Sequence, residues 1–236
     1  MSKRVAARSV GVLFLVITAW GAPASAAPDC SQPVPAPKHQ AGEKWTWRLE
    51  AFGDVKADEI SEVVQAEGDL TQLKLPNGDV AFHDKDLIVQ WVKRPKGEIV
   101  RTQTIEPFVL GLRSNNPTVG QKTLDFPLQV GKEWRYSFFA SAARGGRGNV
   151  APFWYTYEIV ACEEVSTPAG KFPAFKVEVT EIYSDRALGA TVPTHGVYHL
   201  WYAPQVKNYV KRHYEAMAHW IGPAFRDYEL VKFEVK

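Results

Sequence analysis

The chain has 236 residues, with 28 Lys and Arg against 26 Asp and Glu and a formal net charge of +2. A chain of this length can bury a sizeable core. Its near-neutral charge provides no electrostatic basis for binding nucleic acid, because phosphate backbones are recognised by strongly basic surfaces. Nucleic-acid-binding proteins are therefore excluded as the expected class.

The N-terminus has the three parts of a secretory signal peptide. A positively charged start is followed by an apolar run over residues 10–20 and by the small-residue triplet at 24–26. The apolar run is too short to span a bilayer permanently. We expect cleavage after Ala26, because a cut one residue later would place Pro28 beside the scissile bond.

Removal of residues 1–26 would leave 210 residues and take away the positive charges of Lys3, Arg4 and Arg8, so the net charge would become −1. No apolar run of membrane-spanning length remains. The sequence therefore predicts a periplasmic or secreted protein without a transmembrane segment in its mature chain.

The two cysteines, Cys30 and Cys162, both lie in the expected mature chain. An oxidising compartment favours a disulfide between them. The alternative is a lipid on Cys30, but the residues before it do not match a lipobox. We expect the disulfide.

Strand patterns dominate after a Pro-rich, polar N-terminal arm at residues 27–40. Phe175, Val177 and Val179 alternate with polar residues, which is typical of a strand with one buried face. Turn-forming residues separate such segments, so we expect an all-β fold with a curved antiparallel sheet, either half-barrel or sandwich-like. The candidate strands are 43–52, 58–67, 69–75, 87–93, 98–104, 132–141, 153–164, 172–184, 195–203, 206–215 and 225–235. A short helical turn is expected near residues 108–113, and loops are expected at 143–150 and 185–194.

A short motif occurs twice. Residues 42–47 (GEKWTW) and 131–136 (GKEWRY) both match G-x-x-W-x-[WY], and each copy opens a series of strands. Gly suits the turn that enters a strand, and the two aromatic residues share one face. The repeat suggests one β domain over residues 41–236 with two related units, at 41–120 and 121–236.

Three further segments resemble a family of exported bacterial β-rich domains of unknown function. They are residues 126–134 (FPLQVGKEW), 167–176 (TPAGKFPAFK) and 201–207 (WYAPQVK). The resemblance covers about residues 120–235 and implies a fold similar in kind to the curved half-barrel of lipoprotein carriers. Each motif is a strand entry or a turn, so the resemblance implies a fold and a compartment but no catalytic residue.

Histidines and serines do not form a recognisable active site. His195 and His199 are four residues apart, but on a strand this spacing separates them by roughly 13 Å, so they cannot bind one metal ion. His213 is expected on the neighbouring strand, near one of them. No G-x-S-x-G sequence occurs. We expect no metal, no cofactor and no catalytic residue that the sequence can identify.

Aromatic residues supply the strongest functional signal, because they occupy both faces of two strands, at 153–157 and 198–202. A sheet with one buried face needs apolar residues in one phase only. The second face is expected to be covered either by protein or by a ligand. The candidate ligand-binding residues are Trp154, Tyr198, Trp201 and, for an anionic head group, the nearby Arg212.

These patterns favour an exported, non-enzymatic binding or envelope-maintenance protein whose partner is a lipid-like or other apolar small molecule. Two alternatives remain open: a periplasmic hydrolase of an envelope glycan or ester, with its catalytic residues dispersed over several strands, and a structural partner of an envelope protein complex. The sequence does not identify the ligand.

Overall fold

In the part of the chain that the structure describes, twelve strands form one curved, unclosed antiparallel sheet, and the predicted all-β fold is confirmed. The computed structural model describes residues 30, 32–51, 54–100, 120, 122–142, 149–187, 190–218 and 222–236. The strands are β1 (Lys44–Ala51), β2 (Asp54–Glu67), β3 (Leu70–Lys74), β4 (Val80–His83), β5 (Val89–Lys93), β6 (Ile99–Val100), β7 (Glu133–Ala142), β8 (Asn149–Thr167), β9 (Gly170–Ala187), β10 (Ala190–Ala203), β11 (Asn208–Ala218) and β12 (Gly222–Glu234). Among these residues, no helix is long and apolar enough to cross a membrane.

The strand order is β6-β5-β4-β3-β2-β1-β12-β11-β10-β9-β8-β7. The first six strands form one meander and the last six form another. Pairing between β1 and β12 joins the two meanders into a continuous sheet. Because neighbours in each meander follow one another in sequence, the pairing needs only hairpin connections.

The two G-x-x-W strand entries, residues 42–47 and 131–136, adopt the same backbone arrangement. In the first, the Gly42 amide donates to the carbonyl of Val63, whose amide donates to the Glu43 carbonyl. In the second, Gly131 and Lys132 make the same pair of bonds with Ile159. Both glycines have positive φ angles, of 88° and 86°, a conformation that glycine adopts without steric cost.

The equivalence extends past the entries to a β-bulge in the following strand. The register between β2 and β3 shifts at Val64, directly after Val63. The register between β8 and β9 shifts at Val160, directly after Ile159. In each meander a buried residue is thus followed by an exposed valine at the bulge.

Several local expectations are corrected. Residues 80–83 form β4, which was missed because four residues between two turn sequences show too little alternation. Residues 185–187 and 190–194, expected as a loop, belong to β9 and β10, and residues 190–194 pair with residues 183–187. Of the other expected loop, residues 149 and 150 begin β8. The short helical turn expected at 108–113 lies outside the described residues.

One face of the second meander carries a large apolar cluster, and we call it the inner face. Phe175, Val177 and Val179 of β9 point to it, with Tyr157 and Ile159 from β8. Other parts of the chain cover this cluster: the N-terminal arm, the segment that precedes β7 and the turn between β4 and β5. The covering residues are Cys30, Val34, Leu87, Leu124, Phe126 and Leu128.

The arm is attached at two points. Cys30 is disulfide-bonded to Cys162 with their Cα atoms 6.2 Å apart, as the sequence predicts. Val34 pairs with Leu128 in an isolated β-bridge, with N–O distances of 2.9 and 2.7 Å. The arm therefore fills part of the inner face and contributes to the core.

A second cluster lies where the meanders meet. Trp45 and Trp47 of β1 are buried with Val206 and Leu230, and their rings stack at 6.4 Å. The indole of Trp45 donates to the Val206 carbonyl at 2.8 Å. In the second entry, Trp134 is only partly buried, and its indole donates to the Lys122 carbonyl at 3.0 Å.

A buried polar network around Glu43 lies beside this second cluster. The Glu43 carboxylate is fully buried and accepts from Lys207 Nζ at 2.6 Å, while His39 Nδ1 lies 2.7 Å from it. Lys207 also donates to the carbonyls of Lys38 and Lys236. These bonds connect the arm, the first strand entry, the turn before β11 and the end of β12.

Candidate functional site

Strand register brings together four polar or aromatic side chains and one glycine on the inner face. Tyr155 of β8 pairs with Glu181 of β9, which pairs with Gly196 of β10. At the next position of β10 on the same face, two residues after Gly196, Tyr198 pairs with Tyr214 of β11. We call these five residues the Glu181 cluster.

Glu181 occupies an inward position directly after three apolar ones, since it continues the alternation of Phe175, Val177 and Val179. It is 5% exposed. The Tyr155 hydroxyl donates to Oε1 at 2.5 Å, and the Tyr198 hydroxyl donates to Oε2 at 2.6 Å. Both carboxyl oxygens are therefore bonded to neutral hydroxyl groups.

Gly196 makes room for this arrangement. A Cβ atom at this position would lie 3.0 Å from Glu181 Oε2 and 3.3 Å from a ring carbon of Tyr214. Tyr214 packs against Tyr198 with ring centroids 4.4 Å apart. Any larger residue at 196 would displace the carboxyl group or the ring, so the glycine is needed for the cluster's geometry.

Burial raises the pKa of Glu181 above its ordinary value, although the hydrogen bonds from Tyr155 and Tyr198 oppose this shift. Burial, together with the nearby Glu181 carboxyl, also raises the pKa of both tyrosines. The cluster thus combines a carboxyl that takes up a proton more readily than usual with hydroxyls that keep theirs. Perturbed groups of this kind are more frequent at functional sites than elsewhere.

Arg212 also points to the inner face, two residues before Tyr214 on β11. Its guanidinium carbon lies 4.5 Å from the centroid of the Tyr209 ring. The cation is therefore stacked on an aromatic ring, one step along the strand from the Glu181 cluster.

The other two predicted ligand residues lie on the opposite, outer face. Trp154 is 47% exposed and pairs across the strands with Ile182, which is also exposed. Trp201 donates its indole N–H to Glu163 at 2.7 Å, and Lys176 Nζ lies 5.5 Å from its ring centroid.

The four predicted residues therefore do not form a single site. Tyr198 and Arg212 share the inner face, whereas Trp154 and Trp201 occupy the outer face. Sequence analysis missed Tyr155, Glu181 and Tyr214. Glu181 had a recognisable signal, namely a carboxylate in the apolar phase of an alternating strand.

His199 and His213 face each other across β10 and β11, with ring centroids 6.2 Å apart, and His195 lies elsewhere on the strand. His199 Nε2 lies 3.4 Å from Glu178, and His213 Nδ1 lies 2.7 Å from Asp227. In the part of the chain that the structure describes, no group of three or more His, Cys, Asp and Glu residues is arranged to hold a metal ion. The pair forms part of a polar row on the outer face.

Neither a family model nor a curated protein matches the chain. Among solved structures, a candidate lipoprotein from Parabacteroides distasonis is similar with 13% identity and a TM-score of 0.46, over 86% of this chain and 100% of that one. A candidate exported protein with a YmcC-like fold from Bacteroides fragilis has 17% identity and a TM-score of 0.45, with the same coverage. The hypothetical lipoprotein YmcC from Escherichia coli has 8% identity and a TM-score of 0.41, over 80% of this chain and 84% of that one. These similarities assign neither a ligand nor an activity to the chain.

Proposed function

We propose that the mature protein is an exported, non-enzymatic binding protein that holds an apolar small molecule with a polar head on its inner face. The observation that carries the proposal is the Glu181 cluster, in which a buried carboxyl is bonded to tyrosine hydroxyls among aromatic rings. Small-molecule sites are mostly apolar and aromatic, with a few convergent polar groups. The signal-peptide pattern at residues 1–26 supports export.

The surroundings of Glu181 favour binding over hydrolysis. A hydrolase that uses two carboxylates places both within reach of one bond, and a nucleophilic enzyme places a base beside its nucleophile. Here both carboxyl oxygens of Glu181 accept hydrogen bonds from Tyr155 and Tyr198, whose raised pKa values oppose their ionisation. Such hydroxyls are suited to hydrogen bonding and poorly suited to nucleophilic attack.

The inner face is covered to different extents along the strands. Phe175 and Val177 are buried beneath the N-terminal arm and the segment before β7. Tyr155 and Tyr198 lie closer to the β9–β10 hairpin and are only partly buried. We therefore place the ligand over these tyrosines, beyond the cover that the described residues provide.

The test compares one variant on each face. Binding of the neutral fluorescent probe N-phenyl-1-naphthylamine would be titrated with wild-type protein, with Tyr198→Ala and with the outer-face control Trp154→Ala. We expect Tyr198→Ala to weaken binding by about tenfold or more, since loss of an aromatic contact costs roughly 1.5–3 kcal/mol. Trp154→Ala should leave the probe affinity within about twofold of wild type, because this residue lies on the other face.

Thermal melts of each variant would separate loss of binding from loss of folding. Tyr198→Phe retains the ring and loses only the hydroxyl, so it should keep most of the probe affinity. The proposal is wrong if wild-type protein does not bind the probe, or if Trp154→Ala alone abolishes binding. Native mass spectrometry of protein recovered from the exported fraction would show whether a small molecule of matching character co-purifies.

A further inference from the structure

The Glu181 cluster presents hydrogen-bond acceptors to a ligand. The Tyr155 and Tyr198 hydroxyls each donate their single proton to one carboxyl oxygen of Glu181, and each carboxyl oxygen can accept a second hydrogen bond. A neutral hydroxyl group on a ligand can therefore donate to Glu181 while both tyrosines keep their hydrogen bonds to it.

The charges around the cluster disfavour an anionic head. A carboxylate placed at hydrogen-bond distance from Glu181 would put two acids within a few ångströms of each other, so at least one would have to remain protonated. Among the side chains that the structure describes, the titratable groups beside Glu181 are Tyr155 from β8, Tyr198 from β10 and Tyr214 from β11. Among the residues whose side chains the structure describes, the cation Arg212 lies on the same face and is stacked on Tyr209 instead.

We propose that the Glu181 cluster selects the head group of the ligand: it accepts a neutral, hydroxyl-bearing head, such as that of a long-chain alcohol or a monoacylglycerol, and rejects a carboxylate on the same chain. This inference rests on the proposed function, because it requires an apolar ligand on the inner face. It adds the chemical class of the head and names Glu181 as the residue that determines selectivity.

The experiment measures displacement of N-phenyl-1-naphthylamine by 1-decanol, monodecanoin and decanoate at mildly alkaline pH. Wild-type protein should prefer decanol or monodecanoin over decanoate by about tenfold or more, which corresponds to one hydrogen bond to a charged group. Decanoate should bind more tightly as the pH is lowered and the acids become protonated, whereas decanol should change less.

Glu181→Gln and Glu178→Gln form a matched pair of variants. The two residues lie three positions apart on β9 and face opposite sides of the sheet, with Glu178 exposed on the outer face. Glu181→Gln should reduce the preference for decanol to within about threefold by strengthening decanoate binding, because it removes the like charge. Glu178→Gln should keep the wild-type preference.

Two further variants keep the test decisive if Glu181→Gln folds poorly. Tyr155→Phe removes the donor to Glu181 Oε1 and keeps the ring, so the carboxyl group should be held less firmly and decanol binding should weaken. Gly196→Ala should also weaken decanol binding, since its methyl group would lie 3.0 Å from Glu181 Oε2.

The outcomes separate the two proposals. If decanoate binds wild-type protein as tightly as decanol, or if Glu181→Gln and Glu178→Gln behave alike, the head-group inference is overturned and the binding function stands. If neither the probe nor any of the three amphiphiles binds, both proposals are overturned.

Discussion

Two buried glutamates show how the environment of a residue determines its role. Glu43 is bonded to Lys207 and lies beside His39, so its charge is compensated inside the protein. Glu181 is bonded to two tyrosine hydroxyls, which stabilise a charge much less than a cation does. Burial alone would raise the pKa of both carboxyls, but the hydrogen bonds from Lys207, His39 and Lys236 reverse the direction for Glu43. Glu43 is thus suited to stabilising the fold, whereas the charge of Glu181 is compensated only weakly by its own partners.

The prediction at this scale is that Glu43→Gln destabilises the protein by about 3–5 kcal/mol near neutral pH, because Lys207 would lose its buried partner. The pKa of Glu43 is lower in the folded protein than its ordinary value of 4.5. Its contribution is therefore present above pH 4.5 and is lost as the pH falls through the folded-state pKa. Urea denaturation at neutral and acidic pH would measure the difference between variant and wild type, which should narrow in acid.

Glu62→Gln is the matched control for this prediction. Glu62 pairs with Lys44 at 3.3 Å on the surface, where both side chains are substantially exposed. Its loss should cost at most about 1 kcal/mol. Equal costs for the two substitutions would contradict a stabilising role for the Glu43 network.

Burial also lowers the pKa of His39, so the wild-type protein should begin to lose stability below pH 6.5, before Glu43 titrates.

The repeated entry is the main feature at the scale of secondary-structure elements. A positive-φ glycine, a pair of backbone hydrogen bonds, a tryptophan and a bulge recur in the same order in both meanders. The local sequence places the turn and the tryptophan in each case. The surroundings differ, since Trp45 is 1% exposed in the central cluster and Trp134 is partly exposed beside Tyr157.

This difference predicts unequal costs for the same substitution. Trp45→Ala should cost about 3–5 kcal/mol, because it leaves a large cavity and the Val206 carbonyl without its indole donor. Trp134→Ala should cost less, about 1–3 kcal/mol, since it removes mainly a ring stacked on Tyr157 at 5.1 Å. Chemical denaturation of both variants would test the ranking, and a larger cost at Trp134 would contradict it.

At the scale of the whole molecule, the N-terminal arm and the disulfide connect distant parts of the chain. Cys30 and Cys162 are separated by 132 residues, and the arm between Cys30 and His39 reaches both the inner face and the Glu43 network. The bond therefore closes a loop that contains the whole first meander in the unfolded chain, and it holds the arm against the second meander in the folded one.

We expect the double variant Cys30→Ser, Cys162→Ser to lose about 4–5 kcal/mol of stability, the value that loop-closure entropy assigns to a loop of this length. Denaturation of oxidised and reduced wild-type protein, alongside the variant, would measure the loss. Reduced wild type and the variant should agree. If the reduced wild type and the variant are both as stable as the oxidised protein, the arm is held by its other contacts alone.

The sequence by itself determined the fold class, the disulfide pair and most strand positions. These properties depend on local patterns: alternation, turn residues and cysteine content. It failed at β4, where four residues lie between two turns, and at residues 185–187 and 190–194, which pair across the β9–β10 hairpin and extend both strands beyond their apolar segments.

Only the tertiary structure decided which residues come together in the candidate site. Alternation shows that Trp201 and Tyr198 lie on opposite faces of a strand, but where both phases carry aromatic residues it does not show which face turns inward. That choice depends on which face the arm and the segment before β7 cover. Likewise, Tyr155 lies 26 residues from Glu181, and Tyr198 lies 17 residues from it. They meet because strand register, determined by hairpin lengths and bulges, aligns them across the sheet.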